Sequence, residues 1–519
     1  MVPSRATTVS QYLKGLPQVQ RDEIRKVRTV IKTNLEVLEF GMGQNQVTHF
    51  RPSFVRNCVA KYPQIRKDKV TMHRCLHSLV LGGAVCLGIA LTGLARAEES
   101  TDKMPRQNWP GWRGPLGTGV APGARPPLEW SEEKNIRWKI PLPGIGHSTP
   151  VVWGDRVFVT TAVPVGKKFA PRPDTAPGAH DNSLVTQRYK FKVLAIDRQT
   201  GKLVWSRTVH EAMPHEGGHV TGSLASASPV VDSDHLIASF GSQGLYCLTH
   251  EGELVWKKDL GDMQTKHAHG EGSSPVLHGN TLVVNWDHRF QSFVIALDKA
   301  TGRQLWKVPR DEPTSWSTPV VVEHGGVEQV IVSGTGRVRA YDLATGKVIW
   351  ECGGLSANVV ASPVVGHGMV FAASSYDTTA LLAIRLDGAS GDITDTNHLV
   401  WKRRRGTPYV PSPLLYGKSL YFLRHYQGIL TRVDAVTGDE PVGPIRVGAM
   451  RDIYASPVGA ADRIYITDRE GVTMVYSHGE IPRLLALNRL EDSFSASAVL
   501  VDEELILRGE EHIYCIAEP

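Results

Sequence analysis

Two sets of residues in the sequence carry side chains able to do chemistry. One set is His147, His210, His215, His219, His267, His269, Trp316, Tyr409, Arg451 and Tyr454; the other is Asp287, His288, Arg289, Arg424, His425, Tyr426, Asp468 and Arg469. Imidazoles beside carboxylates can bind a transition metal, which singles out His215, His219, His267, His269, Asp287 and His288. Guanidinium groups grip acidic ligands, so Arg289, Arg424 and Arg451, with Trp316 and Tyr409, are the candidates for holding a cofactor. The opposing reading is that loop His and Arg side chains are solvated or bond loop carbonyls, because none of these spacings has the specificity of His-Glu-x-x-His. No catalytic residue can be assigned. The sequence has no Gly-rich phosphate loop, nucleophile elbow or kinase motif set.

What brings these residues to one place is a repeat. Ala340-Tyr341-Asp342 with Thr345-Gly346 and Trp350 recurs as Ala195-Ile196-Asp197 with Thr200-Gly201 and Trp205, and as Ala296-Leu297-Asp298 with Thr301-Gly302 and Trp306. Weaker copies stand at Thr249, Gly252 and Trp256 and at Asp434, Thr437 and Gly438. Each reads as a hairpin: a strand ends at Asp, Gly makes the turn where a left-handed backbone is cheap, and the next strand delivers Trp. A second marker, Ser or Thr followed by Pro, precedes an apolar strand at Thr149, Ser228, Ser274, Thr318, Ser362, Ser412 and Ser456, with Ser497-Ala498 as a variant. Eight starts at a period of roughly 44 to 51 residues, each followed by four short strands, predict an all-β, eight-bladed β-propeller of four-stranded blades over residues 130–519. The repeats near Ile445-Arg446-Val447 and Leu484-Leu485-Ala486 lack the Trp. The last repeat lacks a fourth strand, and Asn135–Ile140, with Trp138, reads as that strand, so the N-terminal strand is expected to pair in the last blade and close the ring. In such a ring the four-to-one and two-to-three loops share a face, where the two sets of residues meet. Residues 163–188, the main insertion, fall between the second and third strands of the first blade.

The Ala-x-Asp-x-x-Thr-Gly-x-x-x-Trp signature at Asp197, Asp298 and Asp342 resembles the tryptophan-docking motif of the quinoprotein, or PQQ-like, eight-bladed propellers. Within them, the chain is similar to exported PQQ-like repeat proteins with a Trp-Pro-x-Trp-Arg-Gly-Pro segment, here Trp109–Pro115, whose function is generally unassigned. The resemblance implies two branches. Quinoprotein dehydrogenases bind PQQ with calcium and oxidise alcohols or sugars, commonly with a vicinal Cys-Cys that this sequence lacks. The branch resembling the BamB outer-membrane assembly scaffold holds protein partners. The expected function is an exported binding or scaffold propeller, with a funnel able to take a small ligand or metal; the alternative is a PQQ- or metal-dependent oxidoreductase. Fold alone does not choose.

The first 97 residues read differently. The formal charge of the whole chain is +6, but residues 1–97 hold 15 Lys and Arg against 5 Asp and Glu, so the remainder is slightly acidic and suits no nucleic-acid partner. Met72-His73-Arg74, the apolar Leu79–Leu94 and Ala95-Arg96-Ala97 form the three parts of a secretory signal peptide at 72–97; about 16 apolar residues is short for a membrane span. No integral span is expected in the mature chain, which the signal sends to the periplasm or otherwise exports. Residues 1–71 are an upstream extension, read as a misplaced start or a truncated small domain; residues 8–55 resemble the opening of a YdhG-like domain. Residues 98–129 form a Pro/Gly-rich segment. Beyond Ala97 only Cys247, Cys352 and Cys515 remain, an odd number that suits buried thiols rather than a disulfide framework. N-terminal sequencing of the exported protein is expected to begin near Glu98; a mature chain that keeps residues 1–71 contradicts the signal-peptide reading.

Overall fold

The computed structural model describes residues 108–519 other than Arg172, His425, Tyr426 and Ala449. The upstream extension and the signal peptide lie outside the described residues. The chain forms eight antiparallel blades, each beginning one residue after the Pro, or Ala498, of its marker. Blade 1 is Val151–Trp153, Arg156–Val165, Arg188–Asp197 and Leu203–Ala212. Blades 2 to 7 open at Val230, Val276, Val320, Val364, Leu414 and Val458. Blade 8 contains Val499–Val501, Glu504–Arg508 and His512–Ile516, and its fourth strand is Ile136–Pro141, antiparallel to His512–Ile516.

The burial pattern follows from stacking. Second and third strands are covered on both faces by neighbouring blades, so Leu236–Ser239, Leu245–Leu248 and Met369–Ser374 are buried throughout. Fourth strands cover only one face, so Gln304–Arg310 alternates. The core therefore lies between blades. One cluster joins Ile331, Ala340 and Trp350 of blade 4 to Val370, Leu382 and Ile384 of blade 5.

At the inner end, the Ser/Thr-Pro marker has a structural reason. The residue before Pro is pushed into an extended conformation, and its N–H turns sideways to the next blade. Thr149, Ser228, Ser274, Thr318, Ser362, Ser412 and Ser456 each donate their backbone N–H to the Ser or Thr side-chain oxygen of the following marker, at 2.8–3.0 Å. All eight marker residues are buried.

At the rim the docking is reciprocal. Asp298 Oδ1 accepts bonds from the N–H and hydroxyl of Thr301, fixing the turn. Trp256 of the previous blade donates Nε1–H to Lys299 O at 2.7 Å and lies over Gly302, where a Cβ would sit 2.8 Å from its ring. Gly302 has φ +68, so this position needs glycine on both steric and backbone grounds. The same arrangement joins Trp138 to Arg198 and Gly201, Trp205 to His250 and Gly252, Trp306 to Leu343 and Gly346, and Trp401 to Ala435 and Gly438. Trp350 departs from it. Blade 5 presents Leu386-Asp387-Gly388 in place of the docking turn, and Trp350, fully buried, donates instead to Gln329 Oε1 in its own blade.

Residues 108–130 cross one face as a strap. Pro110 O accepts from Val231 N, Gly119 O accepts from Gly459 N, and Trp130 N donates to Asn488 Oδ1. Buried Arg113 donates to Pro413 O and Pro457 O, immediately beyond two marker serines. Cys247, Cys352 and Cys515 are buried free thiols.

Trp256→Ala is expected to cost about 3–5 kcal/mol, and Gly302→Ala in the facing cradle is expected to lower the melting temperature clearly. Leu485→Ser on the exposed outer strand of blade 7 should leave it nearly unchanged. Thermal melts in which the cradle variants match Leu485→Ser contradict the docking.

Candidate functional site

The two long strands of blade 1 pair over ten positions and carry the 163–188 insertion well beyond the sheet. The insertion is then tied down. Asn182–Ser183 pairs with Gly218–His219 in a small separate ladder. Asn182 Nδ2 donates to Asp174 Oδ2 and to His267 O, Val220 N donates to Asp181 O, and His219 N donates to His269 O at 3.1 Å. The insertion, the loop from blade 1 to blade 2 and the loop from blade 2 to blade 3 thus form one assembly. Within it His267 and Ala268 hold φ of +59 and +57. Consecutive non-glycine residues in that region cost roughly 1–3 kcal/mol each and persist only where neighbours fix them.

Beneath this assembly is a cavity of about 410 Å³. Six marker residues, among them Thr149, Ser228 and Ser497, form part of its wall, and Trp112 of the strap lines it as well. Trp316, Tyr376, Tyr409 and Tyr454 supply aromatic surface; Tyr376 and Tyr409 stack at 5.8 Å. Five imidazoles line it: His147, His180, His219, His267 and His269. The last four are close together, with ring centres 4.7 Å apart for His180 and His267, 4.9 Å for His180 and His269, and 4.8 Å for His219 and His269.

Burial favours the neutral form of three of these rings, His147, His219 and His269. Burial holds the imidazole of His269 down to about 4, reinforced by His219, and burial lowers His219 too. His147 is held at about 3 by burial, with Arg508 and Arg469 adding repulsion. Glu271, half-buried at the same wall, is raised to about 7 by desolvation, although the N–H and hydroxyl of Ser242 both bond its carboxylate.

Of the candidates read from the sequence, His219, His267, His269, Trp316 and Tyr409 meet here, with His147 and Tyr454. The others are placed elsewhere. Asp287 is fully buried in an ion pair with Arg310, at 2.7 and 3.1 Å, and accepts from Ser315 Oγ. His288 is buried beside it, its ring at Gln264 N and Gln291 O. His215 lines a smaller neighbouring pocket with Nε2 on Met263 O. Arg424 pairs with Glu440 and Thr431, Arg289 reaches Pro177 O, and Arg451 is exposed with its N–H on Asp468. His425 and Tyr426 lie outside the described residues. His180, in the insertion, is the ring the candidate set lacked; its one signal was His180-Asp181-Asn182 in the longest loop. Asp232, Asp234 and His235 gather their ligand atoms within 4.8 Å, but Asp232 is already held by Lys299 and by the N–H groups of Asp234 and His235.

The described lining residues include no Lys or Arg to meet the carboxylates of PQQ, and of their two carboxyl groups, Asp181 and Glu271, the second is poorly ionised near neutrality. This set does not fit PQQ with calcium.

Eight four-stranded blades, five of their joints closed by a tryptophan docked on the next blade's turn, define a PQQ-like repeat propeller. The family model described as outer membrane protein assembly factor BamB matches residues 165–292 and 290–518, and the chain belongs to that family. BamB of Burkholderia pseudomallei (strain K96243) is 25% identical over 240 residues, which are 43% of this chain and 58% of that protein. The chain thus spans little more than half of that relative. BamB of Yersinia pestis is 24% identical over 296 residues, 54% of this chain and 67% of that one. A europium-containing methanol dehydrogenase shares the fold at 11% identity, with a TM-score of 0.51 over 79% of this chain and 91% of that chain. Among the described residues no helix is long and apolar enough to cross a membrane.

The depressed His147 sets a pH dependence. Its unfolded state takes up a proton below about 6.5 while the folded state refuses one until about 3, so stability is retained above the unfolded value and falls as pH drops between the two. The limiting slope is about 1.4 kcal/mol per pH unit. His147→Gln is expected to flatten the fall in melting temperature between neutral and mildly acidic pH; parallel curves for the two proteins contradict this.

Proposed function

We propose that the protein is an exported, non-enzymatic binding propeller, a scaffold that engages a protein partner of the cell envelope through its funnel face. The observation that carries this is the axial cavity, roofed by three interlocked loops and lined by aromatic rings and imidazoles. At about 410 Å³ it lies within the size of pockets that hold a small ligand or a few inserted side chains. The relatives named as outer membrane protein assembly factors support a role in assembly rather than turnover. The dehydrogenase neighbour supports the fold alone, and the lining offers no cationic grip for an acidic quinone.

Tyr376 stands at the cavity wall and is largely exposed. A photo-crosslinker at position 376, in cells exporting the protein, is expected to give a discrete adduct identified by mass spectrometry as an envelope protein. The same group at Val436, exposed near the turn of blade 6, should not give it. Identical adducts from both positions, or dye-linked oxidation of alcohols or sugars after addition of PQQ and calcium, overturn the reading.

A further inference from the structure

His180, His267 and His269 cluster at the mouth of the cavity with ring centres 4.7, 4.9 and 5.4 Å apart, and His219 adjoins His269 at 4.8 Å. Imidazoles sharing a tetrahedral ion at metal–nitrogen distances of about 2.0–2.1 Å have ring centres about 5 Å apart. Hydrophobic packing does not explain the group. His180 is exposed and the other three are half-buried.

The bonds around the rings follow the pattern of ligands with outer support. Nδ1 of His180 lies 2.7 Å from Gly178 O and so donates to it, leaving Nε2 with a lone pair. Nε2 of His269 is 3.2 Å from His180 O, leaving Nδ1. Nδ1 of His219 accepts from Thr221 N at 3.2 Å and lies 2.7 Å from Thr221 Oγ1, which fixes this ring beside His269 with its proton on Nε2. Nδ1 of His267 is buried with no hydrogen-bond partner. A carbonyl or hydroxyl on one ring nitrogen with the other turned to an ion is how ligating histidines are commonly oriented. The backbone is committed to this placement as well, since Asn182 clamps the carbonyl of left-handed His267 and His219 N–H bonds His269 O. The rings meet edge to face or tilted, and ligation needs each of them to adjust about the soft χ2 torsion.

We infer that His180, His267 and His269, with His219 packed beside His269, form a binding site for one divalent transition-metal ion of the zinc–copper class at the mouth of the funnel. Imidazole nitrogen donors suit such an ion, whereas calcium and magnesium take oxygen ligands. The inference rests on the funnel being the binding face, but it is read separately: metal content reports this site and crosslinking at position 376 reports the partner.

The test uses the purified exported chain, stripped with a chelator, dialysed against equimolar Zn²⁺ or Cu²⁺ and measured by elemental mass spectrometry. About one ion per chain is expected to be retained. His180→Ala, on the exposed insertion and thus compatible with folding, and His269→Ala should each weaken retention at least about tenfold. His398→Ala, a half-buried histidine of blade 5 bonded to Arg385 O, should not. The Cu²⁺ form should show imidazole-nitrogen hyperfine structure in electron paramagnetic resonance, and melting curves confirm that each variant is folded. No retained ion, or equal loss from His398→Ala, overturns the site. If crosslinking persists while metal binding fails, the site alone falls; stoichiometric metal without the adduct removes the scaffold reading alone.

Discussion

A propeller has to join its first strands around the axis, where no sheet hydrogen bond is available to do so. Here the joint is a backbone N–H from the residue before proline to a hydroxyl in the next blade, made seven times. A buried N–H left unpaired costs about as much as a lost hydrogen bond, and each bond made contributes about 0.5–1.5 kcal/mol. Both residues of the marker are therefore needed. Proline sets the direction of the preceding N–H, and Ser or Thr is small enough to accept one bond while its own backbone donates the next. At the eighth joint, between blades 8 and 1, Thr149 Oγ1 is buried without a partner. That joint is held instead by Arg508 on Ser148 O and Oγ, by Arg198 on Asp502 and Glu504, and by Trp138 docking on Arg198 and Gly201. The seam of the ring is thus ionic and aromatic where the other joints are a chain of hydroxyls.

Because the ring is fixed at the axis and at the rim, the loops between are free of structural duty except where they bond one another. The blade 1 insertion uses that freedom. It reaches over the axis only because its two supporting strands run ten residues each, and it is held there by the short ladder with Gly218–His219. The wall below it is made of the same marker residues that close the ring, so the polarity of the cavity floor is a by-product of the fold, whereas the imidazoles and aromatic rings above are additions.

The repeat was legible in the sequence because its chemistry is local: Asp, Thr, Gly and Trp act within one hairpin and upon the next. Eight markers gave eight blades, and Trp205, Trp306 and their cradles behave as the motif implies. The Trp350 exception depended on what blade 5 presents, which lies outside the motif. The site was legible only to the level of which loops share a face. Asp287 reads as a ligand beside His288, yet its partner Arg310 is 23 residues away on the last strand of the same blade, and the pair, with Tyr341 hydroxyl on Arg310, is sealed from solvent. Distance from the axis, which sorts His219 from His215 and His269 from His288, leaves no trace in spacing. His180 lies in a segment without period, so only the fold could bring it to the others.

Shared shape and shared chemistry come apart in this molecule for a physical reason. The contacts that make the fold, the hydroxyl ring and the tryptophan cradles, are confined to the axis and the rim, so a dehydrogenase and an assembly factor can both satisfy them at low sequence identity. What a propeller binds is decided by the donors its loops place at the mouth. In this chain the arginines on that face are already engaged, Arg310 with Asp287 and Arg424 with Glu440, or stand away from the cavity like Arg451. Imidazoles, among them His219 and His269 lowered by desolvation, and a carboxyl raised toward neutrality are left at the wall. Such a lining repels neither apolar surface nor a cation and gives little hold on an anion, which separates it from an acidic-cofactor pocket even though the blades beneath have the same form.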